Sequence, residues 1–319
     1  MDRIHVMQLV RSFQVGEISR RTFLRRASAA LGSAAAANLL AAGCASSPVK
    51  NPPPVLEPTA GTTTTTGTAA PAPSAEATNG QTISAGKAGL VTGAVVTYGQ
   101  SGEQALSGYL AMPEAEGMLP GVVLIQEWWG LNDHIKAVAN RLSGEGFVVL
   151  APDLYHGAVA TEPDEARKLV MELDQPAAVE EILQAAGFLL GLKDQVAGPA
   201  VGVMGFCMGG GLSLQAAVTA DPRVGAVAAF YGQPLDAAAA AKVKCPVIGF
   251  YGGQDTGIPV DKVTAMEAAL KAAGVSVEVH VYPDAGHAFF NDTRASGYNE
   301  AAAKDAWPRL LAWFGEHLG

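Results

Sequence analysis

The residues best suited to do chemistry lie in three short segments. The first is Gly205-Phe206-Cys207-Met208-Gly209-Gly210-Gly211. A G-x-C-x-G run between a buried strand and a helix is the thiol version of a sharp strand-to-helix elbow. Its central residue takes strained backbone angles, and its neighbours must be small. At a helix N-terminus Cys207 would feel a partial positive charge that favours thiolate over thiol. The backbone N–H of Met208 could point at an oxyanion forming beside the sulfur. The second segment is Gly252-Gly253-Gln254-Asp255-Thr256-Gly257-Ile258-Pro259, an acid in a glycine-rich turn. The third is Pro283-Asp284-Ala285-Gly286-His287-Ala288-Phe289-Phe290. A thiol nucleophile, an imidazole that polarises it and later activates water, and a carboxylate that fixes the imidazole tautomer are the parts of covalent acyl transfer. Taken singly, each has a plainer reading: a buried structural cysteine, a turn-forming aspartate, a solvated loop histidine. A phosphate cradle is excluded, because no Lys-Ser/Thr pair follows the glycines.

Elements that could position these segments are visible from about Thr82 onward. Runs 92–98 and 106–112 look like an opening hairpin. The uninterrupted apolar run 121–126 suits a strand buried on both faces. A helix is expected over 134–144, where Ile135, Val138, Ala139 and Leu142 share one face. Then follow strand 147–151, helices 163–173 and 176–191, strand 200–205, helix 208–219, strands 224–230 and 246–251, helix 260–273, strand 276–282 and a final helix 299–318. Strands alternating with helices imply an α/β domain with a mostly parallel central sheet and helices on both faces, over residues 82–319. In such sheets the site lies beyond the C-terminal strand ends. The loops that matter are therefore those after 126, 151, 205, 251 and 282, and all three chemical segments fall in them. The chain order of nucleophile, acid and histidine is that of the α/β-hydrolase fold. Of the remaining histidines, His134 and His156 lie near these loops and are candidates to line the site. His280 in a strand and His317 in the last helix read as structural, and His5 precedes the folded part.

The 319-residue chain is 49% hydrophobic and carries a net charge of −9. Residues 1–81 hold seven basic and four acidic residues, leaving 14 bases and 26 acids in the rest, a net of −12. An acidic body excludes nucleic acid and anionic lipid as partners. The three cysteines, Cys44, Cys207 and Cys245, sit in separate contexts that suit neither a disulfide framework nor a zinc site. No metal or cofactor is expected. Cys245 opens an apolar strand and reads as a core residue. A monomer acting on a small molecule is expected.

The first 81 residues have a different character. Ser19-Arg20-Arg21-Thr22-Phe23-Leu24-Arg25-Arg26 followed by an uncharged Ala/Leu/Gly run marks a twin-arginine export signal over residues 1–44. It ends Leu39-Leu40-Ala41-Ala42-Gly43-Cys44, which supports two outcomes: ordinary cleavage near Ala42, or a lipoprotein box in which Cys44 carries the lipid. The expected location is the periplasm, either free or membrane-anchored through Cys44. Residues 45–81 are Pro, Thr, Ala, Ser and Gly, with too little apolar surface to offset ordering entropy, and read as a disordered tether.

Together, Gln126-Glu127-Trp128-Trp129-Gly130, Ala151-Pro152-Asp153-Leu154-Tyr155, the Cys207 elbow, Gly252-Gly253-Gln254-Asp255 and Ala285-Gly286-His287-Ala288-Phe289 resemble the dienelactone hydrolase (carboxymethylenebutenolidase) family over residues 90–318. The resemblance implies an α/β-hydrolase that cleaves a small ester or lactone through Cys207, His287 and Asp255. It gives Glu127 as a carboxylate that contacts the thiol and helps turn it into thiolate. It gives the N–H of Trp128 as a partner to that of Met208 in the oxyanion hole. Trp129, Tyr155, Arg167, Phe289 and Asn291 stand where substrate contacts are expected. The family's arginine four residues after the histidine is replaced by Asn291, which argues against a carboxylated dienelactone. Other readings of the same residues are a thioesterase, a broad carboxylesterase, a non-catalytic tethered binding domain, or a redox-sensing thiol protein lacking an obvious resolving cysteine.

Overall fold

A computed structural model of the chain describes residues 83–84, 90–115 and 117–318. The twin-arginine segment, Cys44 and the tether 45–81 lie outside the described residues. Among those described, nine strands form one sheet in the order β1-β2-β3-β5-β4-β6-β7-β8-β9. The opening strands are β1 (Ile83–Ser84), β2 (Leu90–Ser101) and β3 (Gln104–Pro113), paired antiparallel in sequence. β3 pairs antiparallel with β5 (Val148–Pro152), and β5 pairs parallel with β4 (Leu119–Ile125). From β4 the sheet continues parallel through β6 (Val196–Phe206), β7 (Val224–Phe230), β8 (Val247–Gly252) and β9 (Val277–Tyr282).

The apolar run predicted to lie under cover on both sides does so. Successive strand residues face opposite sides of a sheet, and Val122, Val123, Leu124 and Ile125 are all fully buried. The helices responsible can be named. On one face, Gly121 lies under Leu189 of α3 (Gln175–Gly191). On the other, Gly202, the register partner of Val122, lies under Phe314 and Leu318 of α7 (Glu300–Leu318). The remaining helices are α1 (Asp133–Gly144), α2 (Pro163–Glu172), α4 (Met208–Val218), α5 (Ala237–Ala240) and α6 (Val260–Ala272). Asn132 caps α1 by accepting from the Ile135 N–H at 3.1 Å, and Asp174 caps α3 through the Ala177 N–H at 3.2 Å.

Three details differ from the expectation. β1 and the four-residue α5 are additional, both too short to leave a periodic signal. β6 begins four residues earlier than predicted. Gly198 and Pro199 read as a loop there, yet Val196 and Ala197 pair with Leu119 and Pro120 before the register shifts.

Helix α4 approaches the sheet closely enough that only glycine fits at its start. A Cβ on Gly209 would stand 2.5 Å from the Gln126 carbonyl oxygen and 2.6 Å from that of Ile125, both backbone atoms at the end of β4. One on Gly205 would meet the Gly209 carbonyl oxygen at 2.3 Å. Gly209→Ala is therefore expected to push α4 away from β4 at a cost of about 1–3 kcal/mol. Thermal denaturation should show a fall in Tm of roughly 2 °C or more; an unchanged Tm would mean that this contact does not set the helix position.

Candidate active site

The site is built on a row of aromatic side chains. Phe206, Phe230 and Phe250 are register partners near the C-terminal ends of β6, β7 and β8, and all three are fully buried. Their ring centroids lie 4.8 and 4.5 Å apart, distances at which offset aromatic pairs attract beyond simple burial. Phe290, from the segment that carries His287, packs on Phe206 at 5.3 Å and on Phe230 at 5.2 Å. The ladder runs one residue past this row. The Cys207 N–H donates to the Phe230 carbonyl at 3.0 Å, and the Tyr231 N–H to the Phe250 carbonyl at 2.8 Å. The turns that leave β6 and β7 are thereby held in register.

Cys207 sits at the N-terminal cap of α4 with φ 54° and ψ −115°. Positive φ in a residue with a Cβ is strained, and such strain persists only where the surroundings impose it. The elbow glycines and the ladder bond do so here. The expectation that the helix terminus makes this thiol acidic is corrected. Burial first and then the negative charge of Glu127 push the Cys207 thiol up to about 12, outweighing the backbone N–H groups of Met208 and Trp128, which favour the thiolate. Cys207 is thus a neutral thiol at rest, and the two N–H groups that favour its thiolate are those expected to hold an oxyanion.

Glu127, just past β4, is buried and bound on both sides. Asn291 Nδ2 donates to Oε2 at 2.7 Å, and the Tyr231 hydroxyl donates to Oε1 at 3.2 Å. Burial, with Glu127 and Cys207 nearby, raises the Tyr231 phenol well above its ordinary range, so it remains a donor. Asp255, in the turn after β8, is also buried. Its Oδ1 accepts from the N–H groups of Gly257 at 2.9 Å and Ile258 at 3.2 Å. Its Oδ2 lies 2.6 Å from His287 Nδ1, a short contact of the charge-assisted kind. That pairing fixes the imidazole tautomer and leaves Nε2 as the working nitrogen. Among the described residues no side-chain hydrogen bond joins Cys207 to His287 or to Glu127. Cys207, Asp255 and His287 nevertheless line one cavity of about 630 Å³, together with Trp128, Met208 and Tyr231.

Several expected substrate contacts lie elsewhere. Arg167 is on the solvent side of α2, its guanidinium bonded to Asp164 at 2.8 Å. Periodicity could not say which face of that helix looks outward. Phe289 is fully buried against Tyr231, Tyr282 and Phe230, so it supports the His287 turn from inside the core. Trp129 is covered by the Arg294 guanidinium, 3.4 Å above its ring. Asn291 faces Glu127 as described. Tyr155 donates to Met208 Sδ at 3.2 Å and lines a separate, smaller cavity with His156, which pairs with Glu181 at 3.1 Å. His134 is buried 3.5 Å from Asp292. Tyr231 is the residue that sequence reasoning missed. The strand-end rule would have found it, had the loop after 230 been counted with the other five.

A nine-stranded, mostly parallel sheet carrying an elbow thiol and a buried aspartate paired with an exposed histidine at its strand ends defines an α/β-hydrolase. The model of the dienelactone hydrolase family matches residues 106–318, and the chain belongs to that family. A Salmonella typhimurium protein provisionally named carboxymethylenebutenolidase is 36% identical over 234 residues, covering 67% of this chain and 84% of its own. A Klebsiella pneumoniae structure provisionally named dienelactone hydrolase superposes with a TM-score of 0.64 at 31% identity, over 70% of this chain and 98% of its own. A dienelactone hydrolase-like promiscuous phosphotriesterase from metagenomic libraries superposes with a TM-score of 0.65 at 27% identity, over 72% and 99%.

The resting thiol makes a measurable statement. Alkylation of Cys207 by iodoacetamide, followed on its own peptide by mass spectrometry, should be slow at pH 7 and rise about tenfold per pH unit toward pH 12, since only the thiolate reacts. Glu127→Gln removes a negative charge that holds the thiol up. Its folded-state thiol pKa falls, more thiolate is present at pH 7, and alkylation should speed up by about tenfold, the change expected for a shift near one unit. Equal or slower alkylation in the variant would show that Glu127 does not hold the proton on the sulfur.

Proposed function

We propose that this protein hydrolyses a small ester or lactone by covalent catalysis, with Cys207 as nucleophile, His287 as general base and acid, and Asp255 as its orienting carboxylate. The observation that carries this reading is the 2.6 Å Asp255–His287 pair opening on the same cavity as the elbow thiol of Cys207 and its neighbours Trp128 and Met208. The names borne by the Salmonella typhimurium and Klebsiella pneumoniae relatives support the substrate class.

The steps follow from the geometry. The substrate carbonyl oxygen takes the N–H groups of Trp128 and Met208 and frees the sulfur. The thiol proton passes to His287 Nε2, and the imidazolium is stabilised by Asp255. Sulfur bonds to the carbonyl carbon, and the resulting oxyanion keeps both N–H donors. Collapse breaks the ester C–O bond; the leaving oxygen takes the proton from His287, and a thioester remains on Cys207. Neutral His287 then removes a proton from water, whose oxygen attacks the thioester. The second collapse expels the sulfur, which recovers its proton from His287. Glu127, with both oxygens engaged by Tyr231 and Asn291, acts here through its charge, holding the thiol neutral until the carbonyl arrives. An export signal with a tether, and Cys44 as the point of lipid attachment, would deliver this activity to the periplasm.

The test is turnover of p-nitrophenyl acetate. Cys207→Ala should lower kcat at least about a thousandfold, as expected for loss of a covalent nucleophile, and His287→Ala should do the same without changing Tm by more than a few degrees. Mass spectrometry of the parent protein, acid-quenched after a brief incubation, should find an acyl group on Cys207, and His287→Ala should show none, because acylation needs the base. Turnover that survives in Cys207→Ala would sink the mechanism.

A further inference from the structure

We propose that the cavity selects esters whose acyl and alcohol parts are both uncharged, with the side chains of Gln175, Gln215 and Gln233 at its rim accepting their neutral polar groups. For turnover this rests on the hydrolase reading above; for binding it stands on the cavity alone.

The ionisable groups lining the cavity are Cys207, Tyr231, Asp255 and His287. Three of them are acids, and the imidazole is already committed to Asp255. Among the described residues no lysine or arginine lines it. Two arginines near the site are engaged elsewhere: Arg167 with Asp164 on the outer side of α2, and Arg294 on the ring of Trp129. The carboxylate of Glu127 is buried, and its negative charge acts on the thiol. A substrate carboxylate entering this space would lose its water, find no cation in exchange, and face two fixed negative charges. The helix terminus offers no remedy, because its N–H groups serve the sulfur and the developing oxyanion.

The shape points the same way. Cys207, Gly211 and Gln215 are spaced four residues apart and share one face of α4, so Gln215 stands about 12 Å along the helix from the nucleophile. Gly211 leaves that path low: a Cβ there would sit against Gln233, 3.5 Å from its backbone nitrogen. Val170, Leu212 and Ile258 supply apolar walls. The result is an apolar channel that starts at the thiol and ends among carboxamides, which both donate and accept hydrogen bonds without carrying charge.

The experiment compares p-nitrophenyl valerate with p-nitrophenyl hydrogen glutarate, five-carbon acyl groups that differ by a terminal carboxylate, on the full chain at pH 7. The expected result is a preference for valerate of about a hundredfold in kcat/KM, the scale for a charge desolvated without a partner. Gln215→Arg should narrow that ratio by about tenfold through faster glutarate turnover, as an added cation pairs with the carboxylate. A ratio unmoved by this variant would count against the role given to Gln215. Equal kcat/KM for the two esters, or a preference for glutarate, would overturn the proposal. A second readout needs no turnover: protection of Cys207 from iodoacetamide by N-phenylvaleramide and by its ω-carboxylated counterpart. Selective protection by the neutral amide without hydrolysis of either ester would leave the selectivity standing and sink the hydrolase reading. Equal protection by the two amides would overturn the selectivity whatever the esters do.

Discussion

The site depends on how closely α4 lies against β4. Gly209 touches the carbonyl oxygens of Gln126 and Ile125 at distances no side chain could share, and Gly205 closes the same contact from below. That backbone-on-backbone contact has two consequences. It forces Cys207 into a positive-φ turn, which lifts the thiol clear of the sheet. It also brings the residues after β4, Glu127 and Trp128, beside the sulfur, although they precede it by about eighty positions in the chain. A bulkier residue at either glycine would separate nucleophile, carboxylate and oxyanion donor together. Three functional features therefore share one steric cause.

Around that contact the charges are arranged unequally. Asp255 and Glu127 are both buried carboxylates, and a buried charge is tolerated only where it is hydrogen-bonded. Asp255 is satisfied by two backbone N–H groups and by an imidazole that can become a cation. Glu127 is satisfied by a carboxamide and a phenol that cannot. The first carboxylate therefore supports positive charge when His287 takes a proton. The second projects its negative charge onto the thiol and keeps it protonated. In the proposed mechanism one carboxylate thus promotes catalysis and the other holds the nucleophile in check, and their neighbours rather than their chemistry decide which is which.

Much of this was legible in the sequence because it is enforced by steric rules that leave local marks. The elbow needs glycines at fixed offsets, and a buried parallel strand needs an unbroken apolar run. A site at strand ends places its residues in predictable loops. Cys207, Asp255, His287 and Met208 were found in that way, Glu127 and Trp128 through the family resemblance, and all but Glu127 line one cavity. The residues placed wrongly depend on non-local packing. Phe289 sits two positions from His287 and looks like a pocket residue, but it faces the aromatic row under the site. Asn291 stands where a substrate contact was expected and instead binds a carboxylate 164 positions away. No local pattern could reveal that pairing. Arg167 was assigned to the pocket on a helix whose only buried residue is Ala166, and a helix so weakly anchored gives periodicity little to read.

The resting thiol also bears on how such a protein could work where oxidants are present. Thiolate character and exposure govern both nucleophilic attack and oxidation, so a permanently acidic cysteine would be vulnerable between substrates. Here burial and the charge of Glu127 keep the proton on Cys207 against the backbone N–H groups of Met208 and Trp128, which favour the thiolate. The carbonyl oxygen of a substrate is the better acceptor for those donors, since it gains negative charge during the reaction and the thiol does not. In the proposed mechanism, binding the right functional group is then what releases the nucleophile. On that reading the N–H groups that would stabilise the transition state sit beside a thiol that rests protonated, so reactivity appears with the substrate and is low without it.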